Sequence, residues 1–324
     1  MAIDIAAVKA QFGSYYISNP QNMQRLRSIL YTPSVTASYF QDRPSEDTIY
    51  RATLSQLNRI VQPFQKAFTP LGTTKFTPNQ FDLYKLKVDM EETPDDLESS
   101  YLGFLASQPE QDRSNWLFVR WLIETHIKAK IAEDLELNEY FTGVYAAPTA
   151  GTAGAAGTAM NGLKKVIAGY NTAGLTNMGN GAIATGALST DNKTFVDQTE
   201  AMVDAIPELF RNRLDYLFMS PANVIKYKRG KRAKYNTNYA QASELLTIED
   251  YDNISVVGLP SMAGSNLIFT TLADNRIRAT KKAALANTLK LESNKRVVDI
   301  LTDWWEALNF EVPQFVFHND QGLV

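Results

Sequence analysis

Six basic residues crowd into nine consecutive positions in the second half of the chain, and no acidic residue interrupts them. They are Lys226, Lys228, Arg229, Lys231, Arg232 and Lys234. Cations at this density bind phosphate groups or acidic protein surfaces. The whole chain nevertheless has 32 Lys and Arg against 35 Asp and Glu, and a pI near 5.6. This acidic balance argues against a dedicated nucleic-acid binder, so any contact with DNA must be local.

A glycine-rich stretch has part of the pattern of a phosphate-binding loop. Gly157 and Gly162 have the spacing of the two glycines of that motif, but Leu163 occupies the position that requires Lys. With Leu163 counted as an insertion before Lys164, Lys165 occupies the position that requires Ser or Thr. The glycines between 151 and 157 recur every three residues, which also differs from the dinucleotide-binding fingerprint. The pattern favours a glycine-rich turn over a nucleotide site.

Few residues could support catalysis or metal binding. The chain has no Cys, which excludes disulfides, thiolate nucleophiles and cysteine zinc sites, and its two histidines, His126 and His318, are far apart in sequence. The acidic pairs at 91–92, 95–96 and 133–134 belong to helix starts or an exposed helix face. For Trp304 and Trp305 we expect one ring in the core and one at an interface. We therefore predict a protein that is not an enzyme, with no catalytic residue, cofactor or metal.

Composition and length set the scale of the fold. The 324 residues are 44% apolar and 21% charged, as in globular proteins, and can build two cores or one multi-lobed architecture. The N-terminus has an early Asp4 and no apolar signal region. No run approaches the roughly 18 apolar residues of a membrane span. These features predict a soluble protein made in the cytoplasm.

The first half of the chain predicts extended segments followed by a long helix. Residues 1–45 indicate an arm with short helical pieces. The apolar alternation from Tyr84 to Met90 predicts a strand, and residues 59–90 a long hairpin. Thr93 and Pro94 begin a helix as cap and first residue. The clearest helix spans 115–140, between a Ser114 cap and Gly143.

The second half mixes helices with strands. Residues 143–186 hold ten of the seventeen glycines around a short helix at Leu163 to Ile167. A helix at 195–213, a strand at 216–219 and a helix opened by Ser220-Pro221 and closed by Gly230 follow. Six further strands are expected at 254–259, 267–271, 276–280, 288–292, 296–301 and 308–317. Without a repeated βαβ pattern, this order predicts the α+β class.

This order of elements resembles that of the tailed-bacteriophage major capsid proteins of the Hong Kong 97 fold, over nearly the whole chain. The phrase GVYAAPTAGTAGAAGTAMNGLKKVIAG is similar to the glycine-rich entry to the axial (A) domain of that family. LDYLFMSPANVIKYKRG resembles its strand-then-helix element, and ISVVGLPSMAGSNLIFTTLADNRIRATKK resembles the run that leaves the A domain.

The resemblance implies a division of the chain. Residues 1–45 would be the N-terminal arm, 46–92 the hairpin called the E-loop, and 93–142 the peripheral (P) domain with its spine helix at 115–140. Residues 143–265 would form the A domain, and 266–324 the P-domain strands and the return to the A domain.

The resemblance also implies a structural role: self-assembly through hexamers and pentamers into the icosahedral head shell of a virion that encloses double-stranded DNA. Packaged DNA would make only non-specific contacts, no membrane is involved, and assembly would occur in the bacterial host cytoplasm. The sequence shows no charged helical scaffold segment of the kind some relatives carry, so scaffolding is expected from a separate protein or from none. A portal and decoration proteins are further compatible partners. Nothing singles out Lys66, Lys75, Lys85 or Lys87 for the covalent crosslinks of some relatives.

Two alternatives stay open at the level of sequence: an encapsulin-like nanocompartment shell of the same fold, and an enzyme whose site the patterns do not reveal. The basic cluster also keeps alternatives. Lys226, Lys228 and Arg229 complement the negative end of the predicted helix. Residues 231–234, expected in a loop beyond Gly230, could face solvent, an acidic surface of a neighbouring subunit or packaged DNA.

Overall fold

The computed structural model of the protein describes residues 4–30, 34–57, 59–235, 246–282 and 288–323. The N-terminal segment forms α1 (Ile5–Phe12), a π-helical turn (Gly13–Ile17), α2 (Pro20–Leu30) and the short α3 (Val35–Ser38). Val8, Phe12 and Leu26 are 2–4% exposed and belong to the same core as the long helix described below. The predicted arm therefore packs its apolar face on its own chain.

Four strands follow. They are β1 (Gln41–Ser45), β2 (Ile49–Leu57), β3 (Thr74–Asp82) and β4 (Tyr84–Glu92). Strands β2 and β3 pair only with each other, from Ile49 opposite Asp82 to Leu57 opposite Thr74. The hairpin predicted at 59–90 therefore has different bounds: its strands begin earlier, and β4 leaves it for another sheet. The alternation predicted in β4 is confirmed, with Leu86 buried between exposed Lys85 and Lys87.

Two helices come next. Helix α4 (Pro94–Ser107) begins as predicted, with Pro94 in its first turn. The long helix consists of α5 (Phe118–Trp121), a π-helical segment (Leu122–Ile127), α6 (Lys128–Asp134) and a second π-helical segment (Leu135–Glu139). The prediction that it starts at Asn115 behind a Ser114 cap is wrong, because residues 110–115 form a separate 3₁₀ turn. Ile123 and Ile127 of this helix lie in the main core.

The remaining elements surround a second sheet and complete the first. The helices are α7 (Leu163–Thr172), α8 (Asn192–Asp204), α9 (Glu208–Arg211) and α10 (Pro221–Tyr235). The strands are β5 (Leu214–Met219), β6 (Thr247–Ile248), β7 (Tyr251–Gly258), β8 (Phe269–Leu272), β9 (Arg276–Lys281), β10 (Thr288–Asn294), β11 (Val297–Phe310) and β12 (Val316–His318). Strand β11 runs without interruption through the gap expected between the strands at 296–301 and 308–317.

The first sheet has the order β1-β9-β11-β10, and β4 also pairs with β11. The first part of β11 lies between β10 and β4, and its last residues, from Glu306 to Phe310, pair with β9. A strand of fourteen residues can thus serve two sets of neighbours. This sheet packs with the long helix and the N-terminal helices around the main core.

The second sheet has the order β12-β8-β5-β7-β6. Its two faces contribute to different cores, as expected from the alternation of side chains along a strand. In β5, Leu217 and Met219 join the second core together with α8 and α10, whereas Phe218 joins the main core. Strands β5 and β7 are parallel and are connected through α10. The fold therefore contains one βαβ crossover, which the order of predicted elements did not reveal.

Helix α10 does not end at Gly230, contrary to the sequence prediction. The helix continues to Tyr235, and Gly230 lies where α10 crosses α8. A Cβ atom at this position would stand 2.0 Å from the Asn192 carbonyl oxygen and 2.6 Å from Val196 Cγ2. The glycine is thus required by a close helix contact. As a consequence, residues 231–234 of the basic cluster lie on a helix and not in a loop.

Candidate assembly surfaces

The hairpin of β2 and β3 carries a large exposed apolar surface at its far end. We call residues 59–76 the hairpin tip. Phe64 and Phe68 are each 93% exposed, Val61 is 76% exposed and Phe76 is 65% exposed. Single exposed apolar residues are common on protein surfaces, but a contiguous set marks a binding surface. A two-stranded ribbon is also only marginally stable by itself in water.

The base of the hairpin is fixed to the first sheet by polar contacts. The Asn79 side-chain amide donates to the carbonyl oxygens of Phe310 and Glu311, both at 2.9 Å. Tyr50 and Phe81 stack across the two strands with ring centroids 5.1 Å apart. These contacts hold one end of the hairpin, so the tip projects from an anchored base.

Three of the six clustered basic residues, Lys226, Lys231 and Lys234, form hydrogen bonds or ion pairs on the inner side of α10. Lys226 Nζ donates to the Ser189 carbonyl oxygen at 2.9 Å. Lys231 is 4% exposed, and its Nζ lies 2.8 Å from the Thr247 carbonyl oxygen and 3.0 Å from Glu249 Oε2. The sequence could not indicate these contacts, because they come from segments that are brought together only in the fold.

Lys234 is the third of these residues. Its Nζ lies 2.6 Å from Asp197 Oδ1 and 2.7 Å from Glu200 Oε2, both on α8. Desolvation lowers the pKa of Lys234, but hydrogen bonds to these carboxylates outweigh it and raise the pKa above the ordinary value. The residue acts as a tie between α8 and α10.

The other three basic residues lie on the opposite side of α10. Arg229 and Arg232 are exposed and Lys228 is half-buried. Viewed along the helix axis, Ile225 lies between these basic residues, because positions 225, 228, 229 and 232 share one face of α10. It is 51% exposed. We call Ile225, Lys228, Arg229 and Arg232 the outer face of α10.

A buried ion pair stabilises the first sheet. Glu306 is fully buried, and its Oε1 atom accepts from Arg278 Nε at 2.6 Å and from the Tyr140 hydroxyl at 2.8 Å. The Trp304 indole donates to Oε2 at 2.9 Å. Burial raises the pKa of Tyr140, which keeps its hydroxyl protonated as a donor. The network joins β9, β11 and the end of the long helix.

A second buried carboxylate attaches the N-terminal segment. Glu136 on the long helix accepts from the Ser34 hydroxyl at 2.5 Å and from the backbone N–H of Thr36 at 3.0 Å. The Thr36 hydroxyl also donates to Glu136, and so does the Ser261 N–H at 3.2 Å. One side chain thus connects three distant parts of the sequence, and we call it the Glu136 clasp.

The chain is similar to known proteins in structure but not detectably in sequence. No family model and no curated protein matches the sequence. The solved structure of the satellite phage P4 procapsid, including the size determination protein, is similar, with a TM-score of 0.54 and 11% identity. The match covers 92% of this chain and 98% of the other.

Two further structures agree. The capsid of an empty GTA particle has a TM-score of 0.54 at 12% identity, covering 88% of this chain and 89% of the other. The capsid of the Myoviridae phage XM1 has a TM-score of 0.51 at 12% identity, covering 89% and 91%. The chain has the fold of a phage capsid protein. The α+β class and the capsid fold predicted from the order of elements are both confirmed.

Within this capsid fold, the loop with a partial phosphate-binding pattern already holds an anion. The Gly157 N–H donates to Glu139 Oε1 at 2.8 Å, and the Ala159 and Met160 N–H groups donate to Oε2 at 3.0 and 3.3 Å. Backbone amides that could bind a phosphate therefore bind a carboxylate of the same chain. This agrees with the predicted glycine-rich turn.

The remaining candidates for chemistry lie apart. His126 makes an edge contact with Trp121. His318 is buried, with Nδ1 2.8 Å from the Asn319 carbonyl oxygen and Nε2 3.1 Å from Thr176 Oγ1, and burial lowers its pKa. Trp304 is buried, whereas Trp305 is only partly buried. In the described ranges, no group of three or more His, Cys, Asp or Glu could hold a metal ion, and no helix is long and apolar enough to span a membrane.

Proposed function

We propose that this protein is the major capsid protein of a tailed bacteriophage, a structural protein that assembles into the icosahedral shell around double-stranded DNA. The hairpin tip carries this proposal. Phe64 and Phe68 are almost fully exposed at the end of a projecting hairpin, and a neighbouring copy in a shell would cover them. The capsid fold over about nine-tenths of the chain supports the same role.

In this proposal the sequence divides as the resemblance implies. The hairpin within 46–92 is the E-loop, residues 93–142 with the closing strands from 266 onward form the P domain, and 143–265 form the A domain. The protein assembles as hexamers and pentamers in the host cytoplasm and becomes part of the virion. Its role is structural, and DNA touches it only through non-specific contacts.

Burial of the hairpin tip should contribute several kcal/mol to the association between copies. Burying one Phe side chain contributes about 1.5–3 kcal/mol, so Phe64 and Phe68 together contribute about 3–6 kcal/mol to each contact. Because about 1.4 kcal/mol is a factor of ten in affinity, their removal should weaken association between copies roughly 100-fold to 10,000-fold. Such a loss should prevent shell formation at ordinary concentrations.

The experiment is expression of the chain, alone and together with the genes that adjoin it in its genome, followed by negative-stain microscopy and size-exclusion chromatography. We expect capsomer rings or closed shells from the wild type and none from the double variant Phe64→Ser, Phe68→Ser. Leu102→Ser is the matched control, because Leu102 is a half-exposed apolar residue of α4 outside the hairpin.

A monodisperse monomer under all assembly conditions would contradict the proposal. Shells that enclose a protein cargo and never package DNA would replace it with a nanocompartment. Normal shells from the double Phe variant would show that the hairpin tip is not what joins the copies.

A further inference from the structure

Helix α10 presents two chemically different sides. Its inner side faces α8 and the second sheet, where Lys226, Lys231 and Lys234 are bonded. Its outer face contains Ile225, Lys228, Arg229 and Arg232, and α10 itself contains no acidic residue. Lys228 and Arg229 make no hydrogen bond or ion pair with any residue that the structure describes. The outer face is therefore a cationic surface with an exposed aliphatic centre.

A negatively charged surface lies where the end of α8, the start of α9 and the start of β7 are found. The Tyr251 hydroxyl donates to Asp204 Oδ1 at 2.8 Å, which brings the start of β7 to the end of α8. Asp204 at the end of α8, Glu208 at the start of α9 and Asp252, next to Tyr251 in β7, are exposed, and so is Leu209 of α9. We call Asp204, Glu208, Leu209 and Asp252 the acidic corner.

The acidic corner stays negatively charged although Arg211 and Arg213 lie near it in the sequence. Arg211 donates to the Ile206 carbonyl oxygen at 2.6 Å, to the Tyr251 hydroxyl at 3.0 Å and to the Asp204 carbonyl oxygen. Its guanidinium is thus bound mainly to neutral oxygens. With exposed Asp250 included, acidic residues in this region outnumber Arg211 and Arg213, so the corner remains negative.

The two surfaces of one copy face different directions. Helices α8 and α10 run the same way, because Lys226 contacts Phe195 near the start of α8 and Lys234 contacts Glu200 further along. The acidic corner lies at the far end of α8, whereas the outer face points away from α8. Two different surfaces that meet between copies make a head-to-tail contact, which forms a ring where the rotation between copies closes.

We infer that the outer face of α10 binds the acidic corner of the adjacent copy within a capsomer ring. The inference rests on the proposed shell function and specifies one contact within it. Each surface carries charges around one exposed aliphatic residue: Ile225 is 51% exposed and Leu209 is 77% exposed. Opposite charges then steer the encounter, and the aliphatic pair is removed from water.

A second copy of the chain fits the outer face better than nucleic acid does. A phosphate backbone would pair with the cations but would leave Ile225 in water. It would also be repelled by the negative charge of the chain, which is −3 overall. Arginine combined with an apolar residue is typical of protein interfaces, where arginine is enriched.

The absence of Cys from the chain makes a specific crosslinking test possible. The double variant Ile225→Cys, Leu209→Cys places one thiol on each surface, and a short bismaleimide then joins thiols that lie close together. In particles or rings, a head-to-tail contact produces a ladder of covalent oligomers on a denaturing gel, ending at five or six copies. Each single-Cys variant gives at most a dimer, because it has one thiol per chain.

The matched control is the pair Ile225→Cys, Leu102→Cys. It replaces Leu209 of the acidic corner by a half-exposed residue of α4 and should give no ladder. Absence of the ladder from the Ile225→Cys, Leu209→Cys variant overturns the inference. This holds both for assembled particles and for concentrated capsomers. Failure of the shell proposal is recognised independently, by microscopy of the wild type.

Charge reversal provides a second measurement. The variant Lys228→Glu, Arg229→Glu should reduce the yield of rings by about tenfold or more, because like charges then face each other. Glu208→Lys, Asp252→Lys should do the same, and the four changes combined should restore rings by exchanging the charges. Rings that form normally from either double variant but package less DNA would overturn the inference in favour of a DNA contact.

Discussion

Replacement of Gly230 by Ala tests the close packing of α8 on α10. In an exposed helix interior, a change from Gly to Ala stabilises a protein by about 1 kcal/mol. At Gly230 we expect the opposite sign. The new Cβ would stand 2.0 Å from the Asn192 carbonyl oxygen and 2.6 Å from Val196 Cγ2, whereas atoms in contact stand about 3.5–4.0 Å apart. The two helices would have to separate by more than about 1 Å.

The cost follows from what the crossing holds together. Phe195, Val196 and Tyr227 are fully buried in the core under α8 and α10, and separation of the helices would loosen their packing. Overpacking of this kind costs about 1–3 kcal/mol, and more where a rigid backbone atom is in the way. After subtraction of the gain of about 1 kcal/mol in helix propensity, we expect Gly230→Ala to lower the free energy of unfolding by up to about 2 kcal/mol.

The assay is urea unfolding of the unassembled protein by circular dichroism, with amide hydrogen exchange to localise the effect to α8 and α10. Gly169→Ala in α7 is the matched control, since nothing lies within 4 Å of its Cβ position. That variant should raise the free energy of unfolding by up to about 1 kcal/mol. If Gly230→Ala stabilises the protein as Gly169→Ala does, the close contact between the helices is not real.

Three further outcomes are expected. Glu306→Leu removes the buried carboxylate that pairs with Arg278 and leaves the more exposed Asp42 as its remaining carboxylate, so it should cost up to about 3–5 kcal/mol in urea unfolding. Glu136→Ala releases Thr36 from the Glu136 clasp, so limited proteolysis should cut the N-terminal segment faster than in the wild type. Burial lowers the pKa of His318 below its ordinary 6.5. At a pH between the folded-state and unfolded-state pKa of His318, the unfolded chain therefore binds more protons than the folded one. The free energy of unfolding should fall as the pH drops below about 6.5 in the wild type, and should fall less in His318→Gln.

Local signals in the sequence were sufficient for several elements. The alternation in β4 and the Thr93-Pro94 start of α4 depend only on neighbouring residues, and the structure agrees with both. The order of these elements was enough to predict the capsid fold. Periodicity and helix-start chemistry are local properties, so a single sequence can express them.

Other features depend on contacts between distant segments. The prediction divided β11 into strands at 296–301 and 308–317, whereas the structure continues the strand through Asp303 and Glu306. The structure buries Glu306 against Arg278 of β9, 28 positions away. Gly230 has the pattern of a helix end, and only the approach of Asn192 reveals its role in packing. Neither the contact of Glu306 with Arg278 nor that of Gly230 with Asn192 can be predicted from the neighbouring residues in the sequence.

The basic cluster and the glycine-rich loop show why an unusual sequence pattern is weak evidence for a ligand. Lys231 and Lys234 are paired with carboxylates of the same chain, and the amides beyond Gly157 are occupied by Glu139. A ligand at Lys231, at Lys234 or at the Gly157 amides would have to displace an internal partner. The hairpin tip differs, because covering exposed Phe64 and Phe68 displaces only water. Association through that surface is therefore driven by the hydrophobic effect, and the unpaired apolar area, more than the unusual charge, indicates where this chain meets other molecules.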